Sequence, residues 1–214
     1  MLTVIFSELK AHAPFTVFGA LTGIILMVLV SIIPVPARLS YVLFYMLHPL
    51  HVLMSALVTT SMYRLHLKNS GTLLMPIIIG YVGSIGTATL SDSIIPYVGE
   101  MVLNLPNRGA HIGFIEEWWL VNPMAFAGIA IACRYPTTKV PHSAHVLLST
   151  WASLLHIIMS LGGALFWHAY IVVFFFLFIS VWIPCCFSDI VFPLFFVQHK
   201  SRVPPCSPPP AETA

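Results

Sequence analysis

Charged side chains are scarce in this sequence. Of its 214 residues, 7% are charged and 58% are hydrophobic, whereas a soluble domain has roughly 25% charged residues. So few charges cannot cover a water-exposed surface, and the composition therefore predicts an integral membrane protein that lies in a lipid bilayer. Fifteen Phe, seven Tyr and five Trp suit the hydrocarbon core and its interfaces.

Other absences exclude further classes of protein. The nine Lys and Arg form no basic run, so nucleic acid is not a predicted partner. The four cysteines lack the spacing of a zinc knuckle or a disulfide framework, and we expect Cys185 and Cys186 to be buried thiols at a kink. No nucleotide-binding motif is present, so we expect any transport to run on a gradient or on a partner subunit.

Six apolar stretches approach or exceed the roughly 20 residues that a membrane-spanning helix needs. The third and sixth are longer than a straight crossing requires, which indicates tilts or breaks. The first is longer than the apolar part of a secretory signal, so we expect it to remain in the protein. The predicted helices lie at about 12–33, 40–62, 73–103, 114–133, 141–161 and 167–197, and the Pro-rich tail at 201–214 is predicted to be disordered.

Basic residues are unequally divided between the two sides that six spans define. The side with both termini has seven Lys and Arg, and the other side has Arg38 and Arg108. Loops rich in Lys and Arg stay in the cytoplasm. The sequence therefore predicts a multi-pass membrane protein with both termini cytoplasmic.

Two motifs recur in the same order along the chain. H-x-x-H-V-L-x-S occurs at 48–55 and 142–149, and S-D-x-[IV]-x-P occurs at 91–96 and 188–193. The second motif contains Asp92 and Asp189, the only aspartates in the protein. This recurrence predicts an internal duplication, with a first repeat at 1–106 and a second at 107–200.

Each repeat contains three predicted helices, so the second must enter the membrane in the opposite direction from the first. The predicted fold is an all-α membrane protein of about six transmembrane helices, built as two inverted three-helix repeats. Secondary transporters often use inverted repeats, with polar sites at the repeat interface. The likeness is one of architecture.

Positions i, i+3 and i+7 share a helix face, so the two histidines and the serine of each first motif point together. Two imidazoles and one carboxylate are a usual ligand set for Zn²⁺, Mn²⁺, Fe²⁺, Co²⁺ or Ni²⁺. We therefore predict two metal sites, one near each face of the membrane. The first set is His48, His51 and Asp92, and the second is His142, His145 and Asp189, with Ser55, Ser91, Ser149 and Ser188 as hydrogen-bond partners.

Inversion also places two further histidines near these sets. His111, with Glu116 or Glu117, would join the outer set, and His12 the inner set. Because the sites are duplicated, binding and translocation of the cation is the favoured function, and a homodimer would complete a pathway in so short a chain.

Three other functions use the same residues. A membrane b-type cytochrome would bind haem through widely spaced pairs, here His51 with His66 or His142 with His156. An intramembrane metalloenzyme would keep an open coordination position on the metal. A proton relay would use histidines that titrate near neutral pH.

Overall fold

The computed structural model describes residues 2–33, 37–67, 73–163 and 165–200. Regular structure within these ranges is helical, and they contain no strand. The predicted disordered tail lies outside the described residues. The elements in chain order are α1 (Leu2–Ile32), α2 (Ala37–His66), α3 (Leu74–Thr89), the π-helical turn π1 (Leu90–Ile94), α4 (Ile95–Val102), α5 (Gly113–Glu116), α6 (Trp118–Arg134), α7 (Lys139–Met159), α8 (Trp167–Cys186), the π-helical turn π2 (Phe187–Val191) and α9 (Phe192–Lys200).

The six predicted helices correspond to helical segments, but two of them differ from the prediction: one begins earlier and one is divided. Helix α1 begins at Leu2, before the predicted start near residue 12. The apolar run marks the part suited to lipid, whereas helical backbone continues through the polar residues that precede it. The fourth predicted helix is divided, because Glu117 has non-helical backbone angles (φ −123°, ψ 45°) between α5 and α6.

The two Ser-Asp motifs lie in the two π turns. In π1 the backbone N–H at Ile95 donates to the carbonyl of Leu90, five residues earlier. In π2 the N–H of Phe192 donates to the carbonyl of Phe187 in the same way. The predicted tilts or breaks are thus wide turns within two continuous helices, α3–π1–α4 and α8–π2–α9.

Proline explains why the helix widens at these two places. Pro96 and Pro193 each follow the motif aspartate by four residues. A proline has no N–H for the carbonyl four residues earlier, and its ring crowds that carbonyl. A π turn relieves the crowding by shifting the hydrogen bond to a more distant carbonyl, and such turns are frequent at functional sites.

Helix α2 occupies the centre of the bundle. It packs most extensively on α7, α6 and α3, while α1 packs on α7 and α8. Turn π1 packs against α7, and turn π2 packs against α2. At Gly128 of α6, an added Cβ would lie 2.3 Å from the carbonyl oxygen of Leu53, so α2 and α6 approach with backbone in contact.

The bundle has an apolar exterior and a polar interior. Among the described residues, four helical stretches are long and apolar enough to cross a membrane, whereas the apolar part of α7, Ser143–Met159, is shorter. The four are Ala13–Ile32, Arg38–His66, Leu74–Val102 and Trp167–Val197. Large apolar side chains such as Phe18, Ile25 and Ile32 are exposed, while polar ones such as Thr59 and Ser153 are fully buried. This distribution supports a membrane protein, because so much exposed apolar surface would be unfavourable in water.

Candidate metal centre

Asp92, in the middle of π1, accepts hydrogen bonds from three helical segments. Its Oδ2 lies 2.9 Å from Nδ1 of His48 and 2.7 Å from Nδ1 of His51. Its Oδ1 accepts from Ser91 Oγ at 2.6 Å and from Ser149 Oγ at 2.8 Å. Because each carboxylate oxygen has two lone pairs, these four donors fill the acceptor capacity of the fully buried Asp92 side chain.

The Asp92 contacts define the tautomers of two histidines on α2. An ionised carboxylate only accepts hydrogen bonds, so the proton of His48 and of His51 lies on Nδ1. The Nε2 atom of each ring then keeps its lone pair. A histidine that donates one N–H to a carboxylate and offers its other nitrogen outward has the arrangement found at metal centres.

His51 and His145 lie face to face where α2 crosses α7. Their ring centroids are 5.7 Å apart and their planes differ by 9°. The Nε2 atom of His145 lies 3.1 Å from Oδ2 of Asp189 in π2, and both side chains are fully buried. Each of the two facing imidazoles is therefore paired with the aspartate of its own half of the chain.

Cys185, at the end of α8, brings a thiol to the same place. Its Sγ lies 4.0 Å from Nε2 of His51. One ligand atom each from His51, His145 and Cys185 lie within 4.8 Å of one another, and all three side chains are buried. Two imidazoles and a thiol form a donor set suited to Zn²⁺ or Co²⁺. The sequence analysis did not select this cysteine, because the duplication places an alanine, Ala88, at the corresponding position of the other half.

The structure brings five of the six predicted ligands together. His48, His51 and Asp92 form one hydrogen-bonded group, and His145 with Asp189 forms the second. His142 lies in α7, but its side chain is outside the described residues, as is that of His12 in α1. The two groups lie side by side, whereas the sequence analysis placed them near opposite faces of the membrane.

The predicted serine partners differ in their contacts. Ser91 and Ser149 donate to Asp92, and Ser149 Oγ also lies 3.1 Å from Ser91 Oγ. Ser188 donates instead to the carbonyl of Gly83 at 3.1 Å. Ser55, the counterpart of Ser149, is fully buried, and its hydroxyl has no hydrogen-bond partner among the described residues. The duplicated serines therefore contribute unequally.

A second buried ionic pair, Glu100 with His156, was missed by the sequence analysis as part of a site. His156 Nδ1 lies 2.7 Å from Oε1 of Glu100, and both side chains are buried. The other oxygen of Glu100 accepts the backbone N–H of Gly109 at 3.3 Å, and His156 Nε2 donates to the carbonyl of Ala110 at 3.2 Å. The available signal was a carboxylate inside an apolar stretch, which is costly unless it is used.

Further polar groups lie near the loop between α4 and α5. Nδ1 of His111 is 3.4 Å from Oε2 of Glu116, and the Tyr45 hydroxyl donates to the same oxygen. The sequence analysis expected His111, with Glu116 or Glu117, to join the outer metal set. The His111 ring is 5.5 Å from the His156 ring, centroid to centroid. These groups connect the buried Glu100–His156 pair to the protein surface.

The geometry gives little support to haem. His51 stacks on another imidazole, and both ring nitrogens of His156 have partners within the protein. His66, exposed at the end of α2, donates from Nδ1 to the carbonyl of Met62 at 2.9 Å. Haem ligation by His51 or His156 would require these contacts to break, and the side chain of His142 lies outside the described residues.

Comparison of the chain with protein-family models, with curated proteins and with solved structures finds no match. The function is therefore argued from the residues alone.

Proposed function

We propose that this chain is a multi-pass membrane protein that binds a divalent transition-metal ion between α2, α7 and α8 and carries it across the membrane. The observation that carries the proposal is the buried cluster of His51, His145 and Cys185, whose ligand atoms lie within 4.8 Å of one another. Burial of polar groups inside a membrane protein is costly and marks a functional site by default.

The donor set favours Zn²⁺ or Co²⁺ within the metals that the sequence suggests. A thiolate is a soft ligand and disfavours Mn²⁺, whereas two imidazoles and a thiolate suit a tetrahedral Zn²⁺ or Co²⁺. Tetrahedral ligands at Zn–N and Zn–S bonding distances lie about 3.3–3.6 Å apart. The three side chains would therefore have to move inward by about an ångström, which rotamer adjustments at His145 and Cys185 would supply.

The aspartates would orient the ligands. Asp92 already accepts four hydrogen bonds, so its role would be to fix Nε2 of His51 toward the metal. Asp189, 3.1 Å from Nε2 of His145, would do the same for the facing imidazole, or supply a fourth ligand when the site closes. Orientation by a buried carboxylate raises both the basicity and the positional order of a metal-binding histidine.

Translocation rests on a further proposal, that six helices are arranged as two inverted repeats, 1–106 and 107–200, and the helix contacts support it. In such an arrangement α1 corresponds to α6, α2 to α7 and π1 to π2. The contact of α1 with α7 then has its counterpart in that of α6 with α2, and the contact of π1 with α7 in that of π2 with α2. All four contacts are present. Helix α6 has 17 residues, at the short end of the spanning range. A site between the repeats, beside irregular turns in two helices, is the arrangement that alternating-access transporters use.

Elemental analysis of detergent-purified protein tests the metal site. Wild type would be compared with His51→Ala/His145→Ala and with the matched control His66→Ala/His168→Ala, which removes two exposed imidazoles. We expect near-stoichiometric Zn²⁺ or Co²⁺ after incubation in wild type and control, and loss of the metal from the first variant. Absence of bound metal from wild type would contradict the proposal and favour a proton relay through the same residues.

Translocation needs its own test. Protein reconstituted into vesicles that contain a zinc-sensitive dye should accumulate Zn²⁺ in wild type and control, and not in the His51→Ala/His145→Ala variant. Stoichiometric binding without any accumulation would restrict the function to metal binding.

A further inference from the structure

The side chains of the site form a central cluster to which an ion has no open path from the solvent. The cluster comprises His48, His51, Asp92, His145, Cys185 and Asp189. His51, Asp92, His145 and Asp189 are fully buried, and His48 is 1% exposed. A metal or a proton therefore needs a route through the bundle. The polar groups that lie between the cluster and the surface show where that route runs.

We propose that a row of side chains, the access row, admits cations from the loop between α4 and α5 to the central cluster, and that Phe44 closes it. The proposal rests on the proposed function and adds the side and the residues of access. From the surface inward, the access row consists of Glu116, His111, His156 with Glu100, Phe44 and His48.

The outer part of the row is polar and graded in exposure. The side chains of Glu116 and His111 are 40% and 29% exposed, with Oε2 and Nδ1 3.4 Å apart. The His111 ring lies 5.5 Å from the ring of His156, which is fully buried against Glu100. Carboxylate oxygens and imidazole nitrogens are ligands for divalent transition metals. A cation that loses water at the surface could therefore bind to these side chains one after another.

The backbone holds His111 at the mouth of the row. His111 has a left-handed φ of 35°, which is unusual for a residue other than glycine. Its carbonyl accepts a hydrogen bond from Ser93 Oγ, in π1, at 2.9 Å. Strained backbone of this kind persists where the surroundings enforce it, and here one of the enforcing contacts comes from the π turn that contains Asp92.

Phe44 interrupts the row at a single point. Its ring is fully buried, stacks on His48 at 5.3 Å between centroids, and meets the edge of His156 at 5.5 Å. An apolar ring between two imidazoles blocks a hydrated cation and a hydrogen-bonded proton path alike. Rotation of this one side chain would join the outer groups to His48, whose Nδ1 already bonds Asp92.

The row is not duplicated, so this route serves one side of the bundle only. The first motif repeats at an offset of 94 (145 − 51), and the second at 97 (189 − 92). These offsets place Thr138 opposite Phe44, Met62 opposite His156 and Val197 opposite Glu100. The central histidines and aspartates follow the repeat, whereas the access row belongs to the side that the charge distribution predicts to be outside.

The test measures how fast a cation reaches Cys185. In a Cys133→Ser/Cys186→Ser/Cys206→Ser background, Co²⁺ is mixed rapidly with purified protein and the thiolate-to-cobalt absorption is followed. We expect Phe44→Ala to speed arrival by about 10-fold or more, equivalent to about 1.4 kcal/mol of barrier. We expect Glu100→Gln to slow it by about 10-fold, because a carboxylate on the route raises the local cation concentration. The final amplitude should not change in either variant.

Leu177→Ala is the matched control for a cavity in the same apolar cluster. Leu177 is fully buried on α8 and faces Gly23 of α1, and it is not a member of the access row. Its Co²⁺ arrival rate should equal that of the background. Equal rates in all variants, with normal amplitude, would overturn the access row and leave the central site intact.

A second readout does not depend on metal. Modification of Cys185 by a small cationic methanethiosulfonate, followed by mass spectrometry, should be faster in Phe44→Ala than in Leu177→Ala. If the background binds no Co²⁺, the metal site itself fails, and the access row is then decided by this comparison. Equal modification rates would overturn it.

Discussion

His51 and His145 stack with their ring centroids 5.7 Å apart and their planes 9° apart. They are the second histidines of the two copies of one motif, so residues 94 positions apart in the sequence meet across a single interface. A pair of imidazoles packed in this way would repel if both were charged, and each already faces a carboxylate. The cation proposed above would be bound by one nitrogen of each ring, and the neighbouring thiol would then decide which metal is preferred.

Replacing Cys185 by serine should remove the soft ligand. The Sγ atom lies 4.0 Å from Nε2 of His51, and a serine hydroxyl is a poor ligand for Zn²⁺ or Co²⁺. Residues that only orient a ligand typically contribute about 10–100-fold to metal affinity. We expect the loss of Zn²⁺ affinity in Cys185→Ser to be larger than that. Competition with a chelator measures this.

Cys186→Ser is the control for Cys185→Ser, because the adjacent thiol is also buried. It should keep the thiolate-to-cobalt absorption that Cys185→Ser loses. The reverse result would place the metal against the other face of α8.

Mutation of the two motif serines, Ser55 and Ser149, should affect stability differently. Ser149 donates to Asp92 at 2.8 Å across the interface between the halves, whereas buried Ser55 has no hydrogen-bond partner among the described residues. Ser149→Ala should lower the free energy of unfolding by about 1–2 kcal/mol, because a buried acceptor loses a donor. Ser55→Ala should be neutral or stabilising, because a desolvated hydroxyl is removed.

Thermal unfolding of the two purified variants, in one detergent and at one pH, compares them directly. A lower Tm for Ser55→Ala than for Ser149→Ala would show that the hydrogen bond to Asp92 does not contribute as the geometry indicates.

Asp92→Asn tests orientation separately from ligation. The amide keeps the shape of the side chain, and its oxygen can accept from the two imidazole N–H groups while its NH₂ group donates to the two hydroxyls, but the negative charge that raises the basicity of the histidines is lost. Metal affinity should therefore fall by about 10–100-fold without loss of the Co²⁺ absorption. Measurements at a single pH are needed, because ligand deprotonation couples metal affinity to proton concentration.

Glu117→Gln provides the charge control for Asp92→Asn, since it removes one carboxylate from a partly exposed position outside the central cluster. Its affinity should match wild type. Complete loss of the Co²⁺ absorption in Asp92→Asn would instead make the aspartate a ligand, as the sequence alone suggested.

The helices, and the histidines and aspartates that lie together in the structure, were predictable because apolar length and motif recurrence are properties of the sequence. The pairing of His48 and His51 with Asp92 followed from their shared face and their recurrence with the same partner. Tilts or breaks in these two helices were predicted, but not that they take the form of π turns centred four residues before a proline.

The position of the two groups relative to each other was not predictable in the same way. Depth was inferred from the side of the membrane on which each predicted helix begins, although His51 lies at the middle of α2, 14 residues after Ala37 and 15 before His66. The packing of α2 on α7, which no linear pattern records, brings His145 to that level. Cys185 was set aside because it breaks the repeat, and a functional residue need not obey a duplication.

The close approach of Gly113 to His48 gives the last prediction. A Cβ added at Gly113, the first residue of α5, would lie 2.4 Å from Nε2 of His48, too close for a real contact. The imidazole is held by Asp92 and stacks on Phe44, so it cannot move without breaking one of these contacts. Gly113→Ala should therefore lower Tm, although alanine is otherwise the better helix former by about 0.5–1 kcal/mol.

Gly86→Ala supplies the comparison that isolates this steric effect. A Cβ at Gly86, in α3, would have nothing within 4 Å, so the substitution should leave Tm unchanged or raise it slightly. Displacement of His48 should also alter Co²⁺ arrival at Cys185 in Gly113→Ala, since His48 is the inner end of the access row, and Gly86→Ala should not. If Gly113→Ala matched Gly86→Ala in both Tm and arrival rate, His48 would have room to move. Its hydrogen bond to Asp92 would then be one of several positions that the ring adopts, and Phe44 would not be held in place as a closed gate.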